Sequence, residues 1–402
     1  MLYLLAFLVI VVLVVGAIHY YLWRRLVRDT TTSRRLRRGG LWAVAGLLAL
    51  TITSMVAESA LPEAIAIPLA WIGYVWLGLM FYLLVLLALL ELPALVAKLV
   101  LRRKQQSGRP TGGEAAESGA TESERATYQS RRLFLSRSVA VTAGVAAAGL
   151  VGSGVGTALS LPQVKRIQVP LARLPRSADG LRIALASDIH LGPLNGAARM
   201  RRIVELINRL DADLVAIVGD LVDGSVEHLG PSAAPLADLR SRHGTFFVTG
   251  NHEYFSGYEP WIEEVTRLGM RPLRNERLSL PEGIDLAGVN DVTGQEYGDG
   301  PDFDAALAGR DPSRAVVLLS HQPVQAHDAA RHGVDLQLSG HTHGGQMVPF
   351  NLIVRASGQP VISGLGEVDG MPVYVTNGAG FWGPPVRVGA PPDVTLVELR
   401  TR

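Results

Sequence analysis

The chain has 402 residues, no cysteine, and a formal charge of +2 from 38 basic and 36 acidic residues. Without thiols there are no disulfides, thiolate zinc sites, cysteine nucleophiles or iron–sulfur clusters, so any metal must be held by oxygen and imidazole. The near-balance of charge gives no support for a nucleic-acid partner, and none is expected.

Leu2–Trp23 is an almost unbroken run of Leu, Val, Ile and Ala, close to the ~20 residues that cross a bilayer. It lacks the basic start of a signal peptide. Leu41–Ser59 and Ile65–Leu92 are further spanning candidates, so residues 1–97 read as three transmembrane helices. Val139–Leu161, within 138–161, is a weaker fourth, rich in Gly and Ala. The loop Arg24–Gly40 carries many arginines against the single acid Asp29, and Lys98, Arg102, Arg103 and Lys104 follow the third stretch. By the positive-inside rule both basic stretches are cytoplasmic. The amino terminus and everything after about Leu161 then lie outside, which describes a multi-pass cell-membrane protein with an extracytoplasmic carboxyl-terminal domain. Residues 98–137 read as a flexible cytoplasmic linker, because Gln105–Gln129 holds too little apolar bulk to order itself. At its end, Ser130-Arg131-Arg132-Leu133-Phe134-Leu135 resembles a twin-arginine export signal. The competing reading is a basic flank to a membrane helix, and a position after three helices speaks against the signal.

From 162 to 402 short apolar strands alternate with amphipathic helices such as Met200–Leu210 and Tyr258–Leu268, as in one α/β domain. Five of the strands end in metal-competent side chains. Leu181–Ser187 runs into Asp188-Ile189-His190, and Leu214–Val218 into Gly219-Asp220-Leu221-Val222-Asp223. Thr245–Thr249 runs into Gly250-Asn251-His252-Glu253, Ala315–Ser320 into His321, and Val334–Leu338 into Gly340-His341-Thr342-His343-Gly344-Gly345. In open α/β sheets ligands gather outside the carboxyl ends of strands, so the pattern predicts one metal site at one sheet edge. Asp188 and His190, one residue apart, can turn toward the same point, and His341 and His343 repeat that arrangement. Asp220 and Asn251 add oxygen donors. Mixed carboxylate, amide and imidazole donors suit manganese, iron or zinc better than calcium, and these residues suffice for two ions if one carboxylate bridges.

The series Asp-x-His, Gly-Asp-x-x-Asp, Gly-Asn-His-Glu, a lone His and Gly-His-x-His, complete and in order from Asp188 to His343, resembles the calcineurin-like metallophosphoesterase superfamily. Closer still, the chain resembles its bacterial membrane-linked phosphodiesterase type. The likeness covers about Arg182–Gly345 and none of the first 160 residues. It implies a two-sheet metallophosphoesterase sandwich of βαβαβ units over 162–402, preceded by an α-helical transmembrane region, and two divalent ions with Mn favoured over Fe or Zn. It implies that Asp188, His190 and His343 hold one ion, that Asn251, His321 and His341 hold the other, and that Asp220 bridges. His252 would face the substrate phosphate and protonate or stabilise the leaving group. Asp223 and Glu253 are read as orienting the ligands. Two such cations make an attacking water more acidic and clamp the phosphoryl oxygens.

The expected activity is hydrolysis of a phosphodiester, because single-domain relatives are often diesterases and no extra basic cluster lies near the motifs. The membrane tether suggests an envelope or lipid-linked substrate, phospholipid included. A phosphomonoesterase on soluble substrates and a non-catalytic scaffold of the same fold are the rivals, although no ligand is missing. His228, His243, His327 and His332 are read as ordinary residues. Asn290-Asp291 fits a cleft lining or a turn equally. Phe381-Trp382-Gly383-Pro384-Pro385 is read as a packed loop in preference to an apolar lip toward the membrane.

Overall fold

A computed structural model describes residues 2–107 and 122–402, and the chain divides into two compact units, Met1–Ser153 and Gly154–Arg402. The first unit holds α1 (Leu2–Leu22), α2 (Arg34–Ala60), α3 (Glu63–Ser107) and most of α4 (Glu122–Leu159). Among the described residues, three segments are long and apolar enough to cross a membrane: Val9–Arg28, Ala64–Leu92 and Ser130–Leu159. They match the first, third and fourth expected stretches. Leu41–Ser59 is helical within α2 but is not one of the three. The linker expected over 98–137 is shorter, since α3 runs to Ser107 and α4 starts at Glu122. What remains of it, residues 108–121, lies outside the described residues. Arg131 and Arg132 accordingly sit within α4 and not in an extended stretch ahead of it. Polar groups in this unit pair with one another. Glu91 accepts a hydrogen bond from Tyr21 at 2.9 Å and pairs with Arg25, which also reaches Asp29 at 3.0 Å. His19, buried, accepts from the Trp76 indole at 3.1 Å.

The second unit starts with the last turn of α4 and continues through β1 (Gln163–Leu171), β2 (Arg182–Ala186), α5 (Ala197–Asn208), β3 (Leu214–Val218) and α6 (Val226–Ala233). Then come β4 (Thr245–Val248), α7 (Asn251–Ser256), α8 (Tyr258–Arg267), β5 (Met270–Pro272), β6 (Glu276–Ser279) and β7 (Ile284–Gly288). It ends with α9 (Phe303–Leu307), β8 (Ala315–Leu319), α10 (Ala326–Arg331), β9 (Leu336–Ser339), α11 (Asn351–Ala356), β10 (Gly364–Val368), β11 (Met371–Val375) and β12 (Asp393–Thr401). Two six-stranded mixed sheets result, ordered β1-β12-β2-β3-β4-β5 and β10-β11-β9-β8-β7-β6. β2, β3, β4 and β5 run parallel in the first, and β7, β8, β9 and β11 in the second.

Strands covered on both faces read as unbroken apolar runs, and β3, Leu-Val-Ala-Ile-Val, is buried at every residue. Alternate residues serve different layers. Ile183, Leu185, Leu214, Ala216 and Val218 meet Leu286, Val317, Leu319, Leu336 and Leu338 in the core between the sheets. Ala184, Ala186, Val215, Ile217 and Phe247 face α5, α6 and α8 through Met200, Ile203, Leu229, Trp261 and Val265. Val316 and Leu318 pack outward against Phe303, Ala306, Ala326 and Ala329 of α9 and α10. The unit is the expected α/β sandwich, helices outside and two sheets within. Each fully buried Leu or Ile contributes about 1.5–3 kcal/mol, which holds the strand ends still.

Candidate metal centre

All five predicted motifs directly follow strands, three in the first sheet (β2, β3, β4) and two in the second (β8, β9). The site therefore forms where the two sheets meet. Three groups of side chains have donor atoms all within 4.8 Å of one another: Asp188, His190 and His343; His190, Asp220 and His252; Asp220, His321 and His341.

The backbone at these positions is strained. Asp188, His190, Asp220, His341 and His343 all adopt positive φ, between 49° and 72°, a left-handed conformation that non-glycine residues rarely take and that costs on the order of 1–3 kcal/mol each. Each strand end turns sharply there and throws its side chain into the shared space. Close approach also demands two glycines, since a Cβ on Gly250 would collide with Asp220 Oδ1 and one on Gly340 with Asp188 Oδ2.

Hydrogen bonds lock the imidazoles from behind. His190 Nδ1 meets Asp223 Oδ1 at 2.8 Å, His321 Nδ1 meets the Val218 carbonyl at 2.8 Å, and His343 Nδ1 meets the Arg387 guanidinium at 2.9 Å. The Nε2 atoms consequently face inward, where those of His190 and His343 approach to 3.0 Å and that of His343 lies 3.4 Å from Asp188 Oδ1. His321 Nε2 is 3.1 Å from Asp220 Oδ2, yet no hydrogen bond of proper geometry satisfies it. Opposite, His341 Nδ1 is 3.0 Å from Asn251 Oδ1. Ring nitrogens and carboxylate oxygens packed face to face, with one buried nitrogen unsatisfied, are what a divalent-ion site requires of its donors. The residues present fit a pair of such ions.

Two acids work on the backbone and rings instead. Glu253, fully buried, accepts from the Gly250, Asp220 and Leu221 amides at 2.6, 3.0 and 2.8 Å, tying the loops after β3 and β4 together. Asp223 Oδ1 takes both His190 Nδ1 and, at 2.7 Å, His252 Nδ1. His252 lies at the rim, its ring 5.6 Å from Phe255 and 5.9 Å from Trp382.

Charges follow this packing. Burial opposes ionisation of Asp220, but His321, His252 and His190 around it outweigh burial and hold its carboxyl well below the usual range. Burial pushes the Asp188 carboxyl up and, with the Asp220 charge, raises Glu253 to about 7. Burial and neighbouring positive charge drive His341 down to about 3 and lower His343 well below its usual value, so both rings are neutral. His252 moves the other way. Burial opposes its charge, but the Asp223 hydrogen bond and the charges of Asp220, Asp223 and Glu253 raise it to about 9.

All ten predicted site residues thus fall in one place, with His252 closer to the donor cluster than a purely substrate-facing role demands. His228, His243, His327 and His332 lie apart, bonded to Ser225, Glu282, Asp369 and the Asp328 carbonyl. Asn290 and Asp291 are buried, and Asp291 holds Gln322, beside His321, at 3.0 Å. The Phe381–Pro385 loop divides: Phe381 is packed, while Trp382 is exposed. The sequence reading missed Arg387. Fully buried, it donates to the carbonyls of His343, Asn377, Gly380 and Ala390 as well as to His343 Nδ1. Nothing in Pro-Pro-Val-Arg-Val-Gly marks it, because its partners meet only in the fold.

Residues 181–345 match the family model described as calcineurin-like phosphoesterase. An uncharacterized metallophosphoesterase of Helicobacter pylori is 39% identical over 273 residues, 67% of this chain and 72% of its own. A transmembrane protein with metallophosphoesterase domain from Bos taurus is 40% identical over 263 residues, 61% of this chain and 59% of its own. An uncharacterized metallophosphoesterase of Aquifex aeolicus is 33% identical over 241 residues, 59% of this chain and 92% of its own. With five complete motifs gathered where the two sheets meet and relatives this similar over most of their own length, the chain belongs to the calcineurin-like metallophosphoesterases.

Proposed function

We propose that the Gly154–Arg402 unit hydrolyses phosphate esters, phosphodiesters by preference, with two divalent ions held in the candidate centre. Asp188, His190 and His343 hold one, Asn251, His321 and His341 the other, and Asp220 is shared. When bound, the pair neutralises charge on the phosphoryl oxygens and makes the attacking water more acidic. The mixed oxygen and imidazole donors suit manganese, iron or zinc, and manganese is the ion we favour.

The remaining work falls to the chain's own groups. His252, protonated at neutral pH and aligned by Asp223, donates a proton to the departing oxygen. Glu253 fixes the loops carrying Asp220 and Asn251. The observation that carries this reading is the inward-facing His190 and His321 Nε2 atoms, each left with its lone pair free because Nδ1–H donates to Asp223 and to the Val218 carbonyl.

The substrate is an envelope or lipid-linked ester, reached on the extracytoplasmic side. That side requires Leu41–Ser59 to cross as well, so that the basic stretches Arg24–Gly40 and Lys98–Lys104 both lie on the cytoplasmic face. Hydrolysis of an aryl phosphodiester by the full chain, with and without added Mn²⁺, tests the reading. Activity that is metal-dependent in the wild type, lost in Asp220→Asn and only modestly lowered in His252→Ala is the expected result, since an aryl leaving group needs little protonation. Equal rates in all three chains would favour a scaffold.

A further inference from the structure

Several of the exposed apolar side chains of the Gly154–Arg402 unit lie beside the candidate centre. Val348, Leu352 and Ile353 are 41%, 64% and 59% exposed, and Trp382 is 55% exposed. Single exposed apolar residues are ordinary, whereas a group of them marks a surface covered by something. Hydrogen bonds join this group into one piece. The Gln346 side-chain amide donates to the Trp382 carbonyl at 2.9 Å and accepts from the Trp382 amide at 3.1 Å. The Val348 amide donates to the Val388 carbonyl at 3.0 Å. α11, which carries Leu352 and Ile353, sits directly on the metal-ligand loop, for Asn351 occupies the space that a Cβ on Gly345 would take.

The same strip receives the end of α4. The Gly154 carbonyl accepts from the Arg387 amide at 2.9 Å, and the missing Cβ of Gly154 leaves room for Val386 and Val388. α4 carries the candidate span Ser130–Leu159. The last residues of that apolar stretch, from Gly154, belong to the Gly154–Arg402 unit and pack there against residues 386–388, and Val388 is bonded to Val348. An aromatic residue with aliphatic neighbours is the composition that settles at a lipid–water boundary.

We propose that Val348, Leu352, Ile353 and Trp382 form a foot that seats in the surface of the lipid bilayer and holds the mouth of the centre against it. Resting on the hydrolase reading, the substrate class then narrows to phosphate esters borne by lipids, entering sideways from the bilayer past Trp382 and His252.

Because the chain has no cysteine, single labels can test the foot. The full chain, reconstituted in phosphatidylcholine–phosphatidylglycerol vesicles, carries an environment-sensitive fluorophore at Leu352→Cys, at Ile353→Cys, or at Ser313→Cys, just before β8 and far from its ligand-bearing end. The first two labels are expected about 5–10 Å inside the headgroup boundary, quenched by doxyl-labelled phosphatidylcholine, with no such quenching at Ser313→Cys. Foot labels quenched no more than the reference would overturn the proposal. Shielding of those labels from aqueous iodide without lipid quenching would also overturn it, because protein would then cover the foot. Hydrolysis of a soluble aryl diester in the same vesicles separates the two readings. Lipid quenching without hydrolysis keeps the foot and removes the hydrolase, while hydrolysis without quenching removes only the foot.

Discussion

The two halves of the candidate centre are anchored by different means. Around Asp188, charged side chains hold the outer ring nitrogens, Asp223 for His190 and Arg387 for His343. Around His321, a backbone carbonyl does so, and His341 turns its own Nδ1 toward Asn251. A carbonyl cannot be removed by a point substitution, whereas a charged anchor can. The first half is therefore the one that single changes can detune, and the second is fixed as firmly as β3 itself.

Substitutions can break or sharpen that contrast. Asp220→Asn removes the group common to both halves, and a loss of about 4 kcal/mol of transition-state stabilisation, roughly 10³-fold in kcat/KM, is expected. Metal analysis of the purified variant should show fewer ions per chain, and unchanged content would count against sharing. His252→Ala should cost about 10²-fold on an ester with a poor leaving group and far less on an aryl ester that needs no proton. Since His252 is raised to about 9, its protonated form is lost as pH rises through that value. The wild-type rate on the poor leaving group should fall there, and the fall should be absent in the variant. Asp223→Asn weakens the acceptor to which His190 Nδ1–H donates, and roughly 10-fold to 100-fold weaker metal binding is expected. Titration with Mn²⁺ should show one class of site weakened and the other intact. Equal weakening of both classes would erase the contrast. Glu253→Gln leaves every ligand in place but weakens the clamp on three amides, so about 1–3 kcal/mol of stability should be lost, visible as a lower Tm.

Much of the centre was legible because ligand-bearing loops must follow strands, and strands buried on both faces are continuous apolar runs that stop abruptly at Asp188, Asp220, Asn251, His321 and His341. The sandwich followed from the same alternation of apolar runs and amphipathic helices. Arg387 was not legible, since its contact with His343 spans more than forty residues of loop and strand and leaves no local pattern. Nor were the left-handed turns at Asp188 and His190, which the surrounding fold imposes on residues that do not prefer them. The linker was read too long because Glu122–Gln129 is polar, although Glu, Ala and Arg are good helix formers. Trp382 was read with its loop as packed. Composition could not separate it from Phe381, and only the fold turns one ring inward and the other out.

Electron paramagnetic resonance of the full chain loaded with Mn²⁺ tests the central claim most directly. Two ions per chain, showing an exchange-coupled spectrum that Asp220→Asn abolishes, is the predicted result. A single ion, or two ions giving only isolated, uncoupled Mn²⁺ signals, would contradict it.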